Sequence, residues 1–564
     1  MEKPWLKNYP AGVPAEINPL QYSSLNALFD EACVRNPDRP AFTNMGRTLS
    51  YGELDQRVSA FAAWLKHSAG MSKGERMAIM LPNVLQYPIA LFGALRAGLI
   101  IVNVNPLYTA HELEHQLVDS GAAAIVVLEN FAATLQAILG KTALRTVIVT
   151  GAGDLLNAPK GLIVNAVLKF VRKQVPAWDI PTAVSLRRVL SAGKYLPPAR
   201  VVLGHSDIAF LQYTGGTTGV AKGAMLSHRN MVANVLQSTA WLGSTEGVRN
   251  EIAVTALPLY HIFSLTGNCL AFIKRGARIL LITNPRDFAG FVKELGRYRF
   301  TFVSGVNTLF NALLNTPGFD RLDFSFLRMT LGGGMAVQAS VAERWKAVTG
   351  NVLTQAWGLT ETAPAACINP FQLQTFNGSI GLPISSTEIS IRDDAGEEMA
   401  LGQIGEICVR GPQVMEGYWN RPDETAKVML PEGWLRTGDI GRVDAQGFVY
   451  IEDRKKDMIV VSGFNVYPNE VESVIAKHPA VLEVAAVAQA DERSGEVVAV
   501  FVVTKQDGVT EHDIIEQARS ELTGYKVPKH VYFRQTLPKT NVGKILRRAL
   551  RDELPGRTLQ GEAR

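Results

Sequence analysis

Short runs of β-branched and aliphatic residues recur between about residue 40 and residue 430, as in AIVVL (124–128), RTVIV (145–149), IAVTA (252–256), RILLI (278–282) and TFVSG (301–305). Runs that stay apolar, instead of alternating with polar residues, read as strands buried on both faces, the habit of parallel sheets. Amphipathic stretches at 287–298 and 337–348 lie between some of these runs and are long enough for crossover helices. The pattern predicts α/β units, layered sheets flanked by helices. The most hydrophobic stretch, Tyr87 to Val104, is interrupted by Arg96 and runs into Asn103 and Asn105. It predicts a buried helix followed by a buried strand, since a membrane span needs about 20 predominantly apolar residues.

The character changes after the polar run Asp453-Arg454-Lys455-Lys456, where Met458-Ile459-Val460-Val461 opens a stretch of mixed strands and helices. A small α+β domain is expected there. Its basic tail, with Lys526, Lys529, Arg534, Lys539, Lys544, Arg547, Arg548 and Arg551, reads first as a solvated face. The segment from Gly161 to Lys173 is apolar with Lys169, Arg172 and Lys173 toward one end, so it fits either a helix covering an apolar domain surface or a basic amphipathic helix lying on a membrane.

The length of 564 residues exceeds one ordinary core, and a 47% hydrophobic content with 49 Gly and 28 Pro, scattered without period, excludes fibrous and wholly disordered classes. Fifty-seven Lys and Arg against 52 Asp and Glu leave a net charge of +5, too small an excess to indicate nucleic acid as a partner. The four cysteines, Cys33, Cys269, Cys367 and Cys408, are too far apart for a disulfide framework or a metal knuckle and are expected to be reduced thiols of a cytosolic protein. The N-terminal residues carry charges and prolines where a signal peptide needs an apolar core.

The strongest chemical signal is Tyr213-Thr-Gly-Gly-Thr-Thr-Gly-Val-Ala-Lys-Gly223, following a strand-like stretch. Gly215, Gly216, Gly219 and Gly223 let the backbone approach a ligand, while Thr214, Thr217, Thr218 and Lys222 supply hydroxyls and a cation, a set suited to a polyphosphate. It is not a Walker A loop, because Ala-Lys-Gly stands where Gly-Lys-Ser/Thr is needed. His111-Glu-Leu-Glu-His115 matches HExxH formally but lacks a third zinc ligand in context, and Thr109 with Glu112 reads as a capping box. Leu257-Pro-Leu-Tyr-His261, Leu331-Gly-Gly-Gly-Met335 and Gln355-Ala-Trp-Gly-Leu-Thr-Glu361 each follow a predicted strand, where α/β proteins place ligand loops. Glu361 is a candidate oxygen ligand for Mg²⁺. No Gly-x-Ser-x-Gly elbow or nucleophile motif suggests covalent catalysis by the protein.

With Gly433-Trp-Leu-Arg-Thr-Gly-Asp439, Asp453-Arg454, Ser462-Gly-Phe-Asn-Val-Tyr-Pro468 and Pro538-Lys-Thr-Asn-Val-Gly-Lys544 in the same order, the chain resembles the adenylate-forming superfamily of acyl-CoA synthetases, luciferases and adenylation domains. The stretch from Glu432 to Lys456 looks like the signature of bacterial long-chain fatty acyl-CoA synthetases. The resemblance implies a large adenylate-forming domain over 1–453, a hinge at 454–456 and a small mobile domain over 457–564. It implies activation of a long-chain fatty acid with ATP, then transfer to coenzyme A, with Mg²⁺ as cofactor and with fatty acid uptake and β-oxidation entry as the setting. Thr214, Gly215, Gly216, Thr217, Thr218 and Gly219 would hold the phosphates, with Tyr213, Lys222 and Thr360 beside them. Glu361 and Thr217 would bind the metal. Gly333, Gly334 and Trp357 would line the adenine pocket, Trp357 standing where many relatives carry Tyr. Asp439 would bind the ribose, Arg454 ribose or phosphate, and His261 would neighbour the acyl carboxylate. Lys544 would reach the α-phosphate, Gly463 would border the pantetheine tunnel after rotation about Lys456, and Val303, Val306 and Phe310 would line the acyl tunnel. Delivery to a carrier protein, or a medium-chain or aryl substrate, is the rival reading. A cytoplasmic protein lying peripherally on the inner face of the cell membrane is expected, with a homodimer left open.

Overall fold

The computed structural model describes residues 3–214, 221–243, 250–491, 493–540 and 542–554. Each apolar run is a strand: Ala124–Leu128, Thr146–Thr150, Ile252–Thr255, Arg278–Leu281 and Phe302–Gly305. They belong to two large sheets. One has eight strands, with Ile208–Thr214, Ile100–Asn103, Arg76–Met80, Ala124–Leu128, Thr146–Thr150 and Val184–Ser185 side by side and parallel. The other has nine, with a parallel centre running from Leu353–Gly358 through Met329–Gly333, Phe302–Gly305, Ile252–Thr255 and Arg278–Leu281 to Pro40–Asn44. The fold is α/β, as the pattern predicts.

Side-chain alternation explains why these strands are apolar throughout. Val126 enters a core that joins both sheets through helix residues Phe29, Phe61, Leu91 and Trp241, whereas its neighbours Ile125 and Val127 enter a core on the opposite face with Leu113 and Leu117. The stretch from Tyr87 forms the buried helix Gln86–Arg96 and strand Ile100–Asn103, with Arg96 reaching out to pair with Asp30 and Asp55. A four-stranded antiparallel sheet (Glu388–Arg392, Gly405–Arg410, Leu435–Val443, Val449–Arg454) follows.

Beyond it, Ile459–Val461, Phe464–Val466, Val481–Asp491, Gly495–Thr504 and His530–Phe533 form a five-stranded sheet with its own apolar cores on both faces. This C-terminal unit touches the large one through Thr308, whose hydroxyl donates to the Gly543 carbonyl at 2.9 Å, and Asn311, whose amide donates to the Leu482 carbonyl at 3.1 Å.

Helix Ala110–Ser120 opens with the capping box of Thr109 and Glu112. Helix Lys160–Ala166 continues as a π-helical turn, Val167–Val171. It packs on the body through Gly161, while Leu162, Ile163, Phe170 and Val171 are 61, 57, 71 and 72% exposed. Among the described residues no helix is long and apolar enough to cross a membrane.

Candidate functional site

A cleft of about 1230 Å³ opens where the loops after the parallel strands meet the C-terminal unit. Tyr213, Thr214, His261, Gly333, Gly334, Trp357, Thr360, Glu361, Asp439, Arg454 and Lys544 all line it, so residues scattered over the chain converge on one space. Lys456 lines it too.

One wall is set by antiparallel pairing. Asp439 and Arg454 face each other across neighbouring strands, and the Arg454 Nε lies 3.1 Å from the buried Asp439 carboxylate. The indole N–H of Trp357, at the end of strand Leu353–Gly358, donates to the other carboxylate oxygen of Asp439 at 2.9 Å. Gly333 has no room for a side chain: a Cβ there would sit 3.0 Å from the Phe263 ring and 3.1 Å from the Ala356 carbonyl. Gly334, at φ +78°, turns the chain out of the strand, a conformation that L side chains rarely adopt.

The loop carrying His261 is fixed by buried amides and a phenol. Asn83 bonds the Leu257 carbonyl and the Leu259 N–H at 3.0 and 2.9 Å, Tyr87 bonds the Leu259 carbonyl at 2.8 Å, and Gln212 bonds the Tyr260 carbonyl at 2.9 Å. The Nδ1 of His261 accepts the Phe263 N–H, so in the neutral ring the proton is on Nε2. Burial, reinforced by the Lys544 charge, pushes its pKa down to about 3 and keeps the imidazole neutral.

Lys544 enters from the C-terminal unit on a tight turn in which the Lys544 N–H donates to the Thr540 hydroxyl at 3.0 Å and the Gly543 N–H to the Thr540 carbonyl at 2.9 Å. Its Cε would lie 3.2 Å from a Cβ on Gly334, so a side chain at Gly334 would crowd the lysine. Burial, with Arg454 and Lys456 nearby and Asp439 opposing them, lowers its pKa to about 8. The next turn is anchored by Arg547, which grips Glu472 at 2.8 Å and Asn469 at 2.7 Å and lies 3.6 Å from Asp453.

Glu361 is buried at the cleft wall and accepts the Tyr418 hydroxyl at 2.6 Å. Sequence reasoning overlooks Tyr418, Asn83, Tyr87 and Gln212, and no motif near any of them signals the contact. Gly215, Gly216, Thr217, Thr218 and Gly219 lie outside the described residues. Two candidates stand away from the cleft lining: Lys222 pairs with Glu424 and lies 5.0 Å from the Tyr418 ring centroid, and Gly463, at φ +85°, occupies an open turn of the C-terminal sheet.

The acyl-tunnel expectation needs correction for Val303 and Phe310, which turn to the core behind the nine-stranded sheet and do not line the cleft, whereas Val306 stands beside the cleft rim, its methyls 3.8 Å from a Cβ built on Gly334 and 3.2 Å from one built on Gly543. Successive strand residues face opposite ways, so Phe302 lines it instead, with Gly267, Ser238 and Leu242. In the HExxH segment, Glu112 closes the capping box, Glu114 bonds Lys141 at 2.9 Å and His115 bonds the Ala221 carbonyl at 3.2 Å. Among the described residues no group of three or more His, Cys, Asp or Glu is gathered to hold a metal.

The family model described as AMP-binding enzyme matches residues 29–419, and that of the AMP-binding enzyme C-terminal domain matches 470–544. The chain is 56% identical to a long-chain-fatty-acid–CoA ligase of Escherichia coli O157:H7 over 99% of both chains. ATP-bound MatB from Rhodopseudomonas palustris superposes with a TM-score of 0.81 at 28% identity, covering 94% of this chain and 98% of its own. The apo form of that protein covers the same shares at 27% identity with a TM-score of 0.72.

Proposed function

Because the chain belongs to the family of AMP-binding enzymes, we propose that its cleft joins a long-chain fatty acid to coenzyme A at the expense of ATP. The reaction has two steps. A carboxylate oxygen attacks the α-phosphorus, forming the acyl–phosphate bond as pyrophosphate leaves. The thiol of coenzyme A then attacks the acyl carbon, losing its proton as AMP departs. No protein nucleophile is required.

The observation that carries this reading is the convergence of Lys544 with Gly334, Asp439 and His261 in one cleft. The Trp357 ring stacks on adenine, and the Asp439 carboxylate, already oriented by Trp357 and Arg454, accepts the ribose hydroxyls. The loop from Thr214 to Gly219 cradles the phosphates with backbone N–H groups. Neutral His261 offers its Nε2–H to the fatty acid carboxylate without adding a charge that would hold the carboxylate back from attack. The Lys544 ammonium offsets charge developing between carboxylate and α-phosphate, and a preorganised cation in a cleft closed to water acts more strongly than one in bulk solvent.

Mg²⁺ that arrives with phosphates needs only one or two protein carboxylates. Glu361, an oxygen donor steadied by Tyr418 in the cleft wall, fits that requirement, with Thr217 as its partner. Bound there, the ion would neutralise charge on the triphosphate. The acyl chain runs along Gly267, Phe302 and Leu242. We place the hinge at 454–456, about which 457–564 rotates after adenylation to exchange Lys544 for Gly463 near the acyl carbon. The exposed helix 160–171, with Lys169, Arg172 and Lys173 at its end, rests on the membrane surface, where fatty acid partitions.

The test is direct. Purified protein with palmitate, ATP, Mg²⁺ and coenzyme A alone yields AMP, pyrophosphate and palmitoyl-CoA in equal amounts, followed by mass spectrometry. Formation of palmitoyl adenylate without palmitoyl-CoA would mean that the acceptor is a carrier protein.

A further inference from the structure

Away from the cleft, a pocket of about 250 Å³ is lined by Arg57, Arg187, Lys194, Ser191 and Asp154. Three cations face one carboxylate. That carboxylate is already engaged, by the Gly151 N–H at 2.8 Å, the Thr150 hydroxyl at 3.0 Å and the Asn165 amide at 3.0 Å, and Arg187 stands 3.6 Å away. Arg57 is half-buried with no bonded carboxylate among the described residues. Glu53, which acts on it through space, is itself bonded to Arg47 at 2.8 Å. Burial lowers the Arg57 pKa, as expected of a cation short of counter-charge.

The pocket borders the exposed helix. Asn165 of that helix bonds Asp154, which in turn faces Arg187. At its start, Lys160 bonds the Met45 carbonyl at 2.5 Å, two residues before Arg47, whose charge acts on Arg57. Helix 160–171 is therefore tied to the pocket wall through the Asn165–Asp154 bond, with Leu162, Ile163, Phe170 and Val171 exposed. An apolar helix surface bordered by a cationic recess matches the two layers of a lipid leaflet, acyl chains beneath phosphates.

We infer that the Arg57–Arg187–Lys194 pocket binds the phosphate headgroup of an anionic phospholipid while helix 160–171 inserts its exposed apolar side chains among the neighbouring acyl chains. The forked guanidinium of Arg57 suits a phosphate, which takes two parallel N–H bonds from it, while Arg187, whose Nε donates to the Asp154 carbonyl at 3.1 Å, adds its charge and its remaining N–H groups. The inference rests on the membrane contact proposed above and adds a discrete site to it.

Flotation of the full chain with phosphatidylcholine vesicles, and with vesicles holding one quarter phosphatidylglycerol, tests both. Palmitate turnover without vesicles reports that each variant is folded. Wild type is expected to bind the anionic vesicles more tightly. Lys194→Gln and Arg57→Gln should each weaken that binding about five-fold, the equivalent of about 1 kcal/mol per basic residue near a charged surface. Arg57→Lys should weaken it nearly as much, because the fork is lost although the charge remains. Equal binding of Arg57→Lys and wild type would mean a diffuse field and overturn the site, as would wild-type affinity in both glutamine variants. If the Arg57 variants fail to fold, Lys194→Gln decides, and unchanged affinity overturns the inference. Flotation of Phe170→Ser/Val171→Ser equal to wild type, or no flotation of wild type, would instead remove the membrane reading itself.

Discussion

The indole N–H of Trp357 holds the carboxylate of Asp439 at 2.9 Å from one side while the Arg454 guanidinium lies 3.1 Å away on the other, so the acid is oriented before any ligand arrives. Hydrogen bonds to charged groups contribute about 1.5–3 kcal/mol. Trp357→Phe keeps a ring to stack on adenine but removes the donor, and the KM for ATP should rise about ten-fold with little change in kcat. Steady-state kinetics with ATP as the varied substrate checks this, and an unchanged KM would separate Asp439 from nucleotide binding.

Lys544 is the cleft cation proposed to act in adenylation. Lys544→Ala should slow pyrophosphate exchange by about 10²–10³-fold while palmitoyl-CoA still forms from supplied palmitoyl adenylate. Exchange at the wild-type rate would remove the assignment.

The same lysine predicts a pH limb. Its pKa lies at about 8 in the free protein, below the ordinary lysine value, because burial and the Arg454 charge disfavour the ammonium. The protonated form is the active one, so kcat/KM for adenylation should hold below that pH and fall as pH rises through it. Lys544→Arg, which stays charged, should lose the limb even if it is slower. A wild-type profile that is flat to pH 9.5 would contradict the role.

Tyr418 steadies Glu361 at 2.6 Å, and the two are 57 positions apart. Tyr418→Phe should raise the Mg²⁺ concentration for half-maximal turnover about ten-fold, and Glu361→Ala should raise it further. Superimposable Mg²⁺ titrations would assign the ion to other residues.

Arg547 and Glu472 form a largely buried pair in the C-terminal unit, bonded at 2.8 Å. Arg547→Met leaves Glu472 buried without its partner and should destabilise that unit by about 3–5 kcal/mol, whereas the double change to Met at both sites should recover only part of the loss, because the buried Asp453 also loses the arginine. Urea unfolding followed by circular dichroism distinguishes the two.

Much of the fold is legible from local pattern. Unbroken apolar runs such as AIVVL are buried on both faces because the chain supplies cores on both sides, and a period of one apolar residue at every position can be satisfied only that way. Gly333 and Gly334 at the end of a strand leave the backbone bare at the cleft wall, and Thr109 with Glu112 shows a helix start by its spacing alone. These are short-range properties, carried by residues within a turn or a strand of one another.

Tertiary structure decided the rest. Alternation says that Phe302 and Val303 face opposite ways, but only the packed sheet assigns Phe302 to the cleft and Val303 to the core behind it. Tyr418 meets Glu361, Asp154 meets Asn165 beside Arg187, and Lys544 reaches Gly334 through contacts between elements far apart in the chain. The neutral state of His261 and the lowered pKa of Lys544 come from burial, a quantity that exists only once the chain has closed around them.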